Sequence, residues 1–122
     1  MSDLNEATAK ETRRVTTGSD GVAVVRTDDA TRISITADLD MHTARRARSI
    51  IESVCESRPS NVVIDLTGLE FVDSHGLNLL VDAHRTLTSA GCRLVFVPPA
   101  GHIRRAFAIT GLDGLFAVRA DA

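Results

Sequence analysis

Aromatic side chains are scarce in this sequence, which contains no tryptophan, no tyrosine and four phenylalanines. A core of this composition must be built mainly from aliphatic side chains. The chain also lacks an apolar N-terminal segment and any apolar run of the roughly eighteen residues that a membrane helix needs. We therefore expect neither a signal peptide nor a membrane span, and we predict a cytoplasmic protein.

Metal-binding and cofactor-binding patterns are missing as well. The two cysteines, Cys55 and Cys92, have neither metal-ligand spacing nor the density of a disulfide framework, which favours thiols buried in the core. No H-x-x-x-H or H-E-x-x-H pattern joins the histidines, which are His42, His75, His84 and His102. Glycine-rich phosphate loops are absent too. The sequence thus predicts no metal site and no cofactor.

The charges nearly balance, with 14 Lys and Arg against 16 Asp and Glu, for a net charge of -2. Binding to nucleic acid or to an anionic membrane relies on clustered Lys and Arg, so neither partner is expected. A protein partner remains compatible with this charge. The 122 residues, 43% hydrophobic and 25% charged, are typical of one globular domain.

The pattern along the chain predicts a tail followed by an α/β domain. Residues 1–20 are polar, rich in threonine and without a sustained period, which indicates a flexible N-terminal tail. Residues 21–27 and 31–37 flank a short acidic turn and predict an antiparallel hairpin. Strand and helix patterns then alternate, ending in a short strand at 115–118. We predict for 21–122 a mixed, mostly parallel sheet of about five strands, with an N-terminal hairpin and helices packed against it.

Each predicted helix has an apolar face with steps of three and four. For the first helix the inner face comprises Ala44, Ala47, Ile51 and Val54. For the second it comprises Leu77, Leu80, Val81, His84 and Leu87. For the third it comprises Ile103, Ala106, Phe107 and Thr110.

The most informative stretch, residues 61–80, reads as a buried strand, a short acidic turn and a helix. Ser74 lies at the expected N-cap, where its oxygen can accept from the amides of the first turn. The positive end of a helix also favours an anion, so a phosphate would suit this position. From spacing alone a simple capping serine is the favoured interpretation, since serine is common at N-caps. Asp38 and Asp40, at the end of an earlier strand, also admit a capping role.

An enzymatic role for Ser74 is not supported by its neighbours. The segment Val72-Asp-Ser-His-Gly has Ser-x-Gly but lacks the preceding glycine of a nucleophile elbow. A histidine adjacent in sequence at a helix start generally points away from the serine. We therefore predict that the chain is not an enzyme.

The run Val63-Ile-Asp-Leu-Thr-Gly-Leu-Glu-Phe-Val-Asp-Ser-His-Gly-Leu resembles the signature of the STAS domain, in the branch that contains bacterial anti-sigma factor antagonists. The segments at 37–44 and 109–112 resemble two further family stretches, and the likeness extends from about 21 to 118. The resemblance implies a STAS fold and phosphorylation of Ser74 by a GHKL-type anti-sigma factor serine kinase, with a phosphatase to reverse it. It implies a partner-binding surface of Asp38, Asp40, Asp73, Ser74, His75, Gly76 and Leu77.

Three positions depart from the family pattern, in which Ser, Thr or Ala is usual at His75, Gly at Ala37 and Glu at Asp38. An imidazole beside the acceptor could change how a kinase fits and make the domain a poor substrate. The resemblance otherwise implies that the unphosphorylated protein binds the kinase and releases a sigma factor, as in stress-responsive transcription. The alternative is a STAS subunit of a lipid-transport or signalling assembly that is never phosphorylated. The oligomeric state is left open.

Overall fold

Seven strands and three helices account for most of the described residues, 14–17, 21–27 and 30–110, of this computed structural model. The strands are β1 (Arg14–Thr17), β2 (Val22–Arg26), β3 (Ala30–Ile35), β4 (Ala37–Leu39), β5 (Asn61–Asp65), β6 (Leu69–Val72) and β7 (Arg93–Val97). The helices are α1 (Met41–Glu56), α2 (Ser74–Ser89) and α3 (Gly101–Thr110).

The main sheet has five strands in the order β1-β2-β3-β5-β7. The pairs β1–β2 and β2–β3 are antiparallel, whereas β3–β5 and β5–β7 are parallel. A second sheet consists of β4 and β6, paired in parallel. The α/β fold, the hairpin and the interior position of β5, between β3 and β7, are thereby confirmed. The strand predicted at 115–118 lies outside the described residues.

Part of the predicted tail belongs to the sheet. Residues Arg14–Thr17 form β1 and pair with β2, with Arg14 opposite Arg26 and Thr17 opposite Ala23. The prediction of a tail was wrong for these four residues, because an edge strand can gain its stability from backbone pairing without a clear apolar period. The other residues of 1–20 lie outside the described part of the chain.

Among the described residues the core is mainly aliphatic and includes two buried phenylalanines, Phe96 and Phe107. On α1, the four residues predicted to face inward are all buried. On α2, the buried residues are Gly76, Leu79, Leu80, Ala83 and Leu87. The predicted inner face of α2 was therefore rotated from the real one. Gly76 and Ala83 line the real face, whereas Val81 and His84, which were predicted to line it, are half-buried. Small residues there allow α2 to pack closely on its neighbours.

The second sheet exists because the chain changes direction after β3. Ala37 has a φ of 62°, a left-handed conformation that is uncommon for a residue other than glycine. The Ala37 amide donates to the carbonyl of Gly68 at 2.9 Å, which starts the pairing of β4 with β6. Residues 31–37 were predicted as one strand, and the stretch between the buried strand and Ser74 was predicted as a turn. Both predictions were wrong, because the break at Thr36 and the strand β6 give no strong signal in sequence.

Both cysteines are free thiols, with Cys92 buried and Cys55 half-buried. Burial raises the pKa of the Cys92 thiol, and the nearby Cys55 adds to the effect. Within the described ranges, no group of three His, Cys, Asp or Glu side chains is arranged to hold a metal ion. Over the same ranges, no helix combines the length and the apolar character needed to cross a membrane.

Candidate partner-binding site

Two strand–helix units lie side by side, β4 leading into α1 and β6 leading into α2. The strands are parallel, with Leu39 opposite Val72. The Asp73 amide donates to the Leu39 carbonyl at 3.2 Å and links the ends of the two strands. Because parallel strands end at the same edge of a sheet, both helices begin at this edge. The residues predicted from sequence, at 38–40 and 73–77, are thus brought together.

Asp73 caps the start of α2. Its Oδ1 accepts from the amide of His75 at 2.9 Å and from the amide of Gly76 at 3.0 Å. The prediction that Ser74 is the N-cap was wrong, because the carboxylate one residue earlier already satisfies these two amides. Ser74 is instead the first residue of the helix, and it is exposed.

Asp40 caps α1 in the same manner. Its Oδ1 accepts from the amide of His42 at 3.0 Å, and from the amide and hydroxyl of Thr43 at 3.1 and 3.2 Å. The hydrogen bond from the Thr43 amide is the main reason that the pKa of Asp40 is lowered. Asp40 therefore stays ionised at neutral pH, and its interpretation as a helix cap is confirmed.

The two helix starts have the same local pattern, Asp40-Met-His-Thr in α1 and Asp73-Ser-His-Gly in α2. In each, the aspartate accepts from the amides two and three residues later. Met41 and Ser74 therefore occupy the same first helical position. The site is a pair of equivalent, positively polarised helix ends, each held by a carboxylate.

The remaining predicted residues differ in exposure. Asp38 lies exposed on β4. The His75 side chain is also exposed, with its Nδ1 3.6 Å from Oδ2 of Asp73, so the imidazole lies at the surface beside Ser74. Leu77 is half-buried.

Gly76 is buried and acts through its backbone. A Cβ atom at this position would lie 2.5 Å from the Leu39 carbonyl oxygen, 2.7 Å from Leu39 Cγ and 2.9 Å from Val72 Cγ2. Such distances are shorter than any ordinary contact between these atoms. Only glycine lets the first turn of α2 approach the ends of β4 and β6 this closely.

The turn that leads into β6 is organised by Asp65. Its carboxylate accepts from the Thr67 amide at 2.9 Å and the Thr67 hydroxyl at 2.7 Å, and it pairs with Arg32 at 2.7 Å. Partial burial raises the pKa of Asp65, but these hydrogen bonds outweigh it and the net pKa is lowered. Asp65 thus fixes the position from which β6 and α2 follow.

Two exposed hydrophobic side chains at this edge were not predicted from the sequence. Met41 is 47% exposed and Phe71 is 50% exposed. Phe71 lies on β6 directly opposite Asp38. The alternation along Leu69-Glu-Phe-Val could have indicated a strand, but a period of two would have placed Phe71 inward with the buried Leu69, so the exposure of Phe71 could not be inferred from it.

We expect Asp73→Ala to destabilise the protein by about 1 kcal/mol, because two amides of α2 lose their acceptor. Asp73→Asn is the matched control, since asparagine caps helices about as well as aspartate does and should change stability by only a few tenths of a kcal/mol. Urea denaturation measures both. Equal losses for the two variants would show that the charge of Asp73, and not its capping, is what matters.

Comparison with known proteins agrees with this geometry. The profile of the STAS domain family matches residues 21–122. An anti-sigma-B factor antagonist from Listeria monocytogenes is 28% identical over 94 residues, which cover 77% of this chain and 82% of that protein. An anti-sigma F factor antagonist from Lysinibacillus sphaericus is 27% identical over 81 residues, covering 66% of this chain and 69% of that protein.

The fold also matches a solved structure. The crystal structure of an anti-sigma factor antagonist from Mycobacterium paratuberculosis superposes with a TM-score of 0.73. The two chains are 29% identical, and the match covers 86% of this chain and 91% of that one. Relatives from three genera are thus antagonists of anti-sigma factors.

Proposed function

Because this chain belongs to the STAS domain family, we propose that it is an anti-sigma factor antagonist that is switched off by phosphorylation of Ser74. In its unphosphorylated form it binds an anti-sigma factor kinase of the GHKL type, and the kinase then releases its sigma factor. The observation that carries this proposal is the exposed Ser74 at the start of α2, beside the capped start of α1.

Asp73 and Ser74 have separate roles at the start of α2, which supports a switch at this position. Asp73 holds the helix start, so the Ser74 hydroxyl can be modified without removing the cap. The positive end of the helix dipole tolerates a phosphate there. Phosphorylation therefore requires no change of fold.

The same phosphate disfavours the complex between this protein and the anti-sigma factor kinase. It adds about -1.5 to -2 charges at neutral pH. Those charges come next to Asp73, on a surface that also carries Asp38 and Asp40. A partner that fits the small, neutral serine would have to accommodate both the bulk and the charge of the phosphoryl group. Dissociation follows from this local change.

Phosphosite mapping tests the proposal. Wild type, Ser74→Ala and the matched control Ser49→Ala are each incubated with ATP and each purified anti-sigma factor kinase of the source organism. Ser49 is an exposed serine on α1. We expect mass spectrometry to find one phosphate at Ser74 in wild type and in Ser49→Ala, and none in Ser74→Ala. Phosphate at other residues, or none with any kinase, would contradict the switch.

We expect His75→Ser to be phosphorylated several-fold faster than wild type. The smaller side chain removes the imidazole from beside the acceptor and frees Asp73 from its contact with Nδ1. Initial rates of phosphate incorporation measure the effect. His42→Ser is the matched control, because His42 occupies the equivalent position of α1. Unchanged rates for His75→Ser would show that the imidazole does not obstruct the kinase.

A further inference from the structure

Large hydrophobic side chains are exposed at three positions within the described residues, namely Met41, Phe71 and Ile109. Phe71 stands out because this protein has few aromatic residues and places Phe96 and Phe107 in its core. Leaving such a side chain half in water forgoes part of the roughly 1.5–3 kcal/mol that its full burial would contribute. Single exposed hydrophobic side chains are ordinary, whereas several at one place indicate a surface that another molecule covers.

Met41 and Phe71 both belong to the edge where the two helices begin. Phe71 is opposite Asp38 in the β4–β6 pair, and side chains of paired residues project from the same face of a sheet. Met41 is the first residue of α1, the position that corresponds to Ser74 in α2. The two apolar side chains thus belong to the two strand–helix units that start α1 and α2, the second of which carries Ser74.

The two segments that carry these side chains are acidic, and the first basic residue after them on α1 is the exposed Arg45, one turn beyond Met41. Residues 37–44 and 67–76 contain no lysine or arginine. They contain four carboxylates, at Asp38, Asp40, Glu70 and Asp73. Glu70 and Asp38 are exposed on the small sheet, next to Phe71. The surface therefore combines apolar side chains with a negative rim, and a complementary surface has an apolar pocket edged by lysine and arginine.

A second copy of this chain fits the surface poorly. A symmetric dimer contacts itself through the same patch on both subunits. The carboxylates of one subunit would then face those of the other, which is unfavourable. Charge complementarity instead favours a different protein with a basic surface.

We propose that Phe71 and Met41 are the apolar anchors of the partner complex and that they insert into a pocket edged by basic side chains on the anti-sigma factor. This inference rests on the proposed function. It identifies the chemistry of the partner surface and adds two contact residues to the site. It also explains the position of the switch, since a phosphate at Ser74 would add charge to a surface whose anchors must lose water to bind.

Binding of purified anti-sigma factor kinases of the source organism to Phe71→Ala, measured by calorimetry, tests the proposal. We expect affinity to fall at least about 30-fold, as for a central aromatic anchor, and Met41→Ala to have a smaller effect in the same direction. The matched control is Ile109→Ala, which removes a hydrophobic side chain that is 80% exposed on α3. It should change affinity less than about twofold, because scattered exposed hydrophobics contribute little. Thermal unfolding of each variant verifies that the fold is kept.

The contribution of the acidic residues around the anchors is tested separately, by the salt dependence of the association rate. Raising the ionic strength should slow association of the wild type, because the attraction between an acidic and a basic surface is screened by salt. The double variant Asp38→Asn with Glu70→Gln should weaken that dependence. An association rate that does not respond to salt would overturn the assignment of a basic partner surface.

The outcomes separate this inference from the proposed function. If a kinase binds wild type and phosphorylates Ser74, but Phe71→Ala binds as well as Ile109→Ala, the anchors are refuted and the switch stands. If no kinase binds wild type, the proposed function fails and the inference fails with it. If sedimentation shows a wild-type dimer that Phe71→Ala dissociates, the occupant is a second copy and the proposal is overturned.

Discussion

Gly76→Ala is expected to lower the free energy of unfolding by about 1–3 kcal/mol, the usual range for overpacking a well-filled site. The added methyl group would overlap the Leu39 carbonyl oxygen and the side chains of Leu39 and Val72. Two of the clashes involve Leu39, whose carbonyl oxygen is part of the backbone and cannot rotate away, so the first turn of α2 must move. Alanine is favoured over glycine within a helix by about 1 kcal/mol, which offsets only part of this loss. Urea denaturation measures the net effect.

The matched control for this prediction is Asn78→Ala, two residues further along α2. Asn78 is exposed. Alanine there should leave stability unchanged or raise it slightly, because only helix propensity is altered. If Gly76→Ala were as stable as Asn78→Ala, the contact between α2 and the ends of β4 and β6 would be looser than the structure shows.

Phosphorylated protein is expected to bind the anti-sigma factor kinase about a hundredfold more weakly than unphosphorylated protein, a difference of about 3 kcal/mol. The physical reason is the new charge of about -1.5 to -2 at Ser74, which has to be desolvated in the interface beside existing carboxylates. Calorimetric titration of the two forms against the same kinase measures the difference.

Two substitutions at Ser74 serve as references for the unphosphorylated and the phosphorylated form in that measurement. Ser74→Ala should bind about as tightly as unphosphorylated wild type and remain active in the presence of ATP. Ser74→Asp should lose part of the affinity, because a carboxylate carries one charge and less bulk than a phosphate. Equal affinities for Ser74→Ala, Ser74→Asp and the phosphorylated protein would eliminate the electrostatic switch.

The parts of the fold that were predictable from sequence have strong periodic patterns. Strand β5 is apolar and β-branched and lies at the centre of the parallel part of the sheet, with Val62 and Ile64 fully buried. The inner face of α1 follows directly from its steps of three and four. The small β4–β6 sheet was not predictable in this way, because it depends on a left-handed Ala37 and on a shift of register between short strands. Neither feature changes the hydrophobic pattern.

The two segments of the predicted site lie side by side in the structure, but the N-cap of α2 was assigned to the wrong residue. The sequence placed Asp38, Asp40 and Ser74 in two segments, and the pairing of β4 with β6 brings those segments together. Asp73 and Ser74 are both acceptable N-caps, and spacing cannot distinguish adjacent candidates. Phe71 was not identified from the sequence as an exposed residue, because its exposure depends on β6, a strand that the sequence did not predict.

The hydrogen bond from the Asp73 amide to the Leu39 carbonyl joins the two strand–helix units at the edge where α1 and α2 begin. Its proton can exchange with solvent deuterium only when the two helix starts move apart. The exchange rate of this amide therefore reports how often the two helix starts separate. Slower exchange in a complex would show that the partner holds both units closed, and faster exchange after Gly76→Ala would show that they had begun to separate.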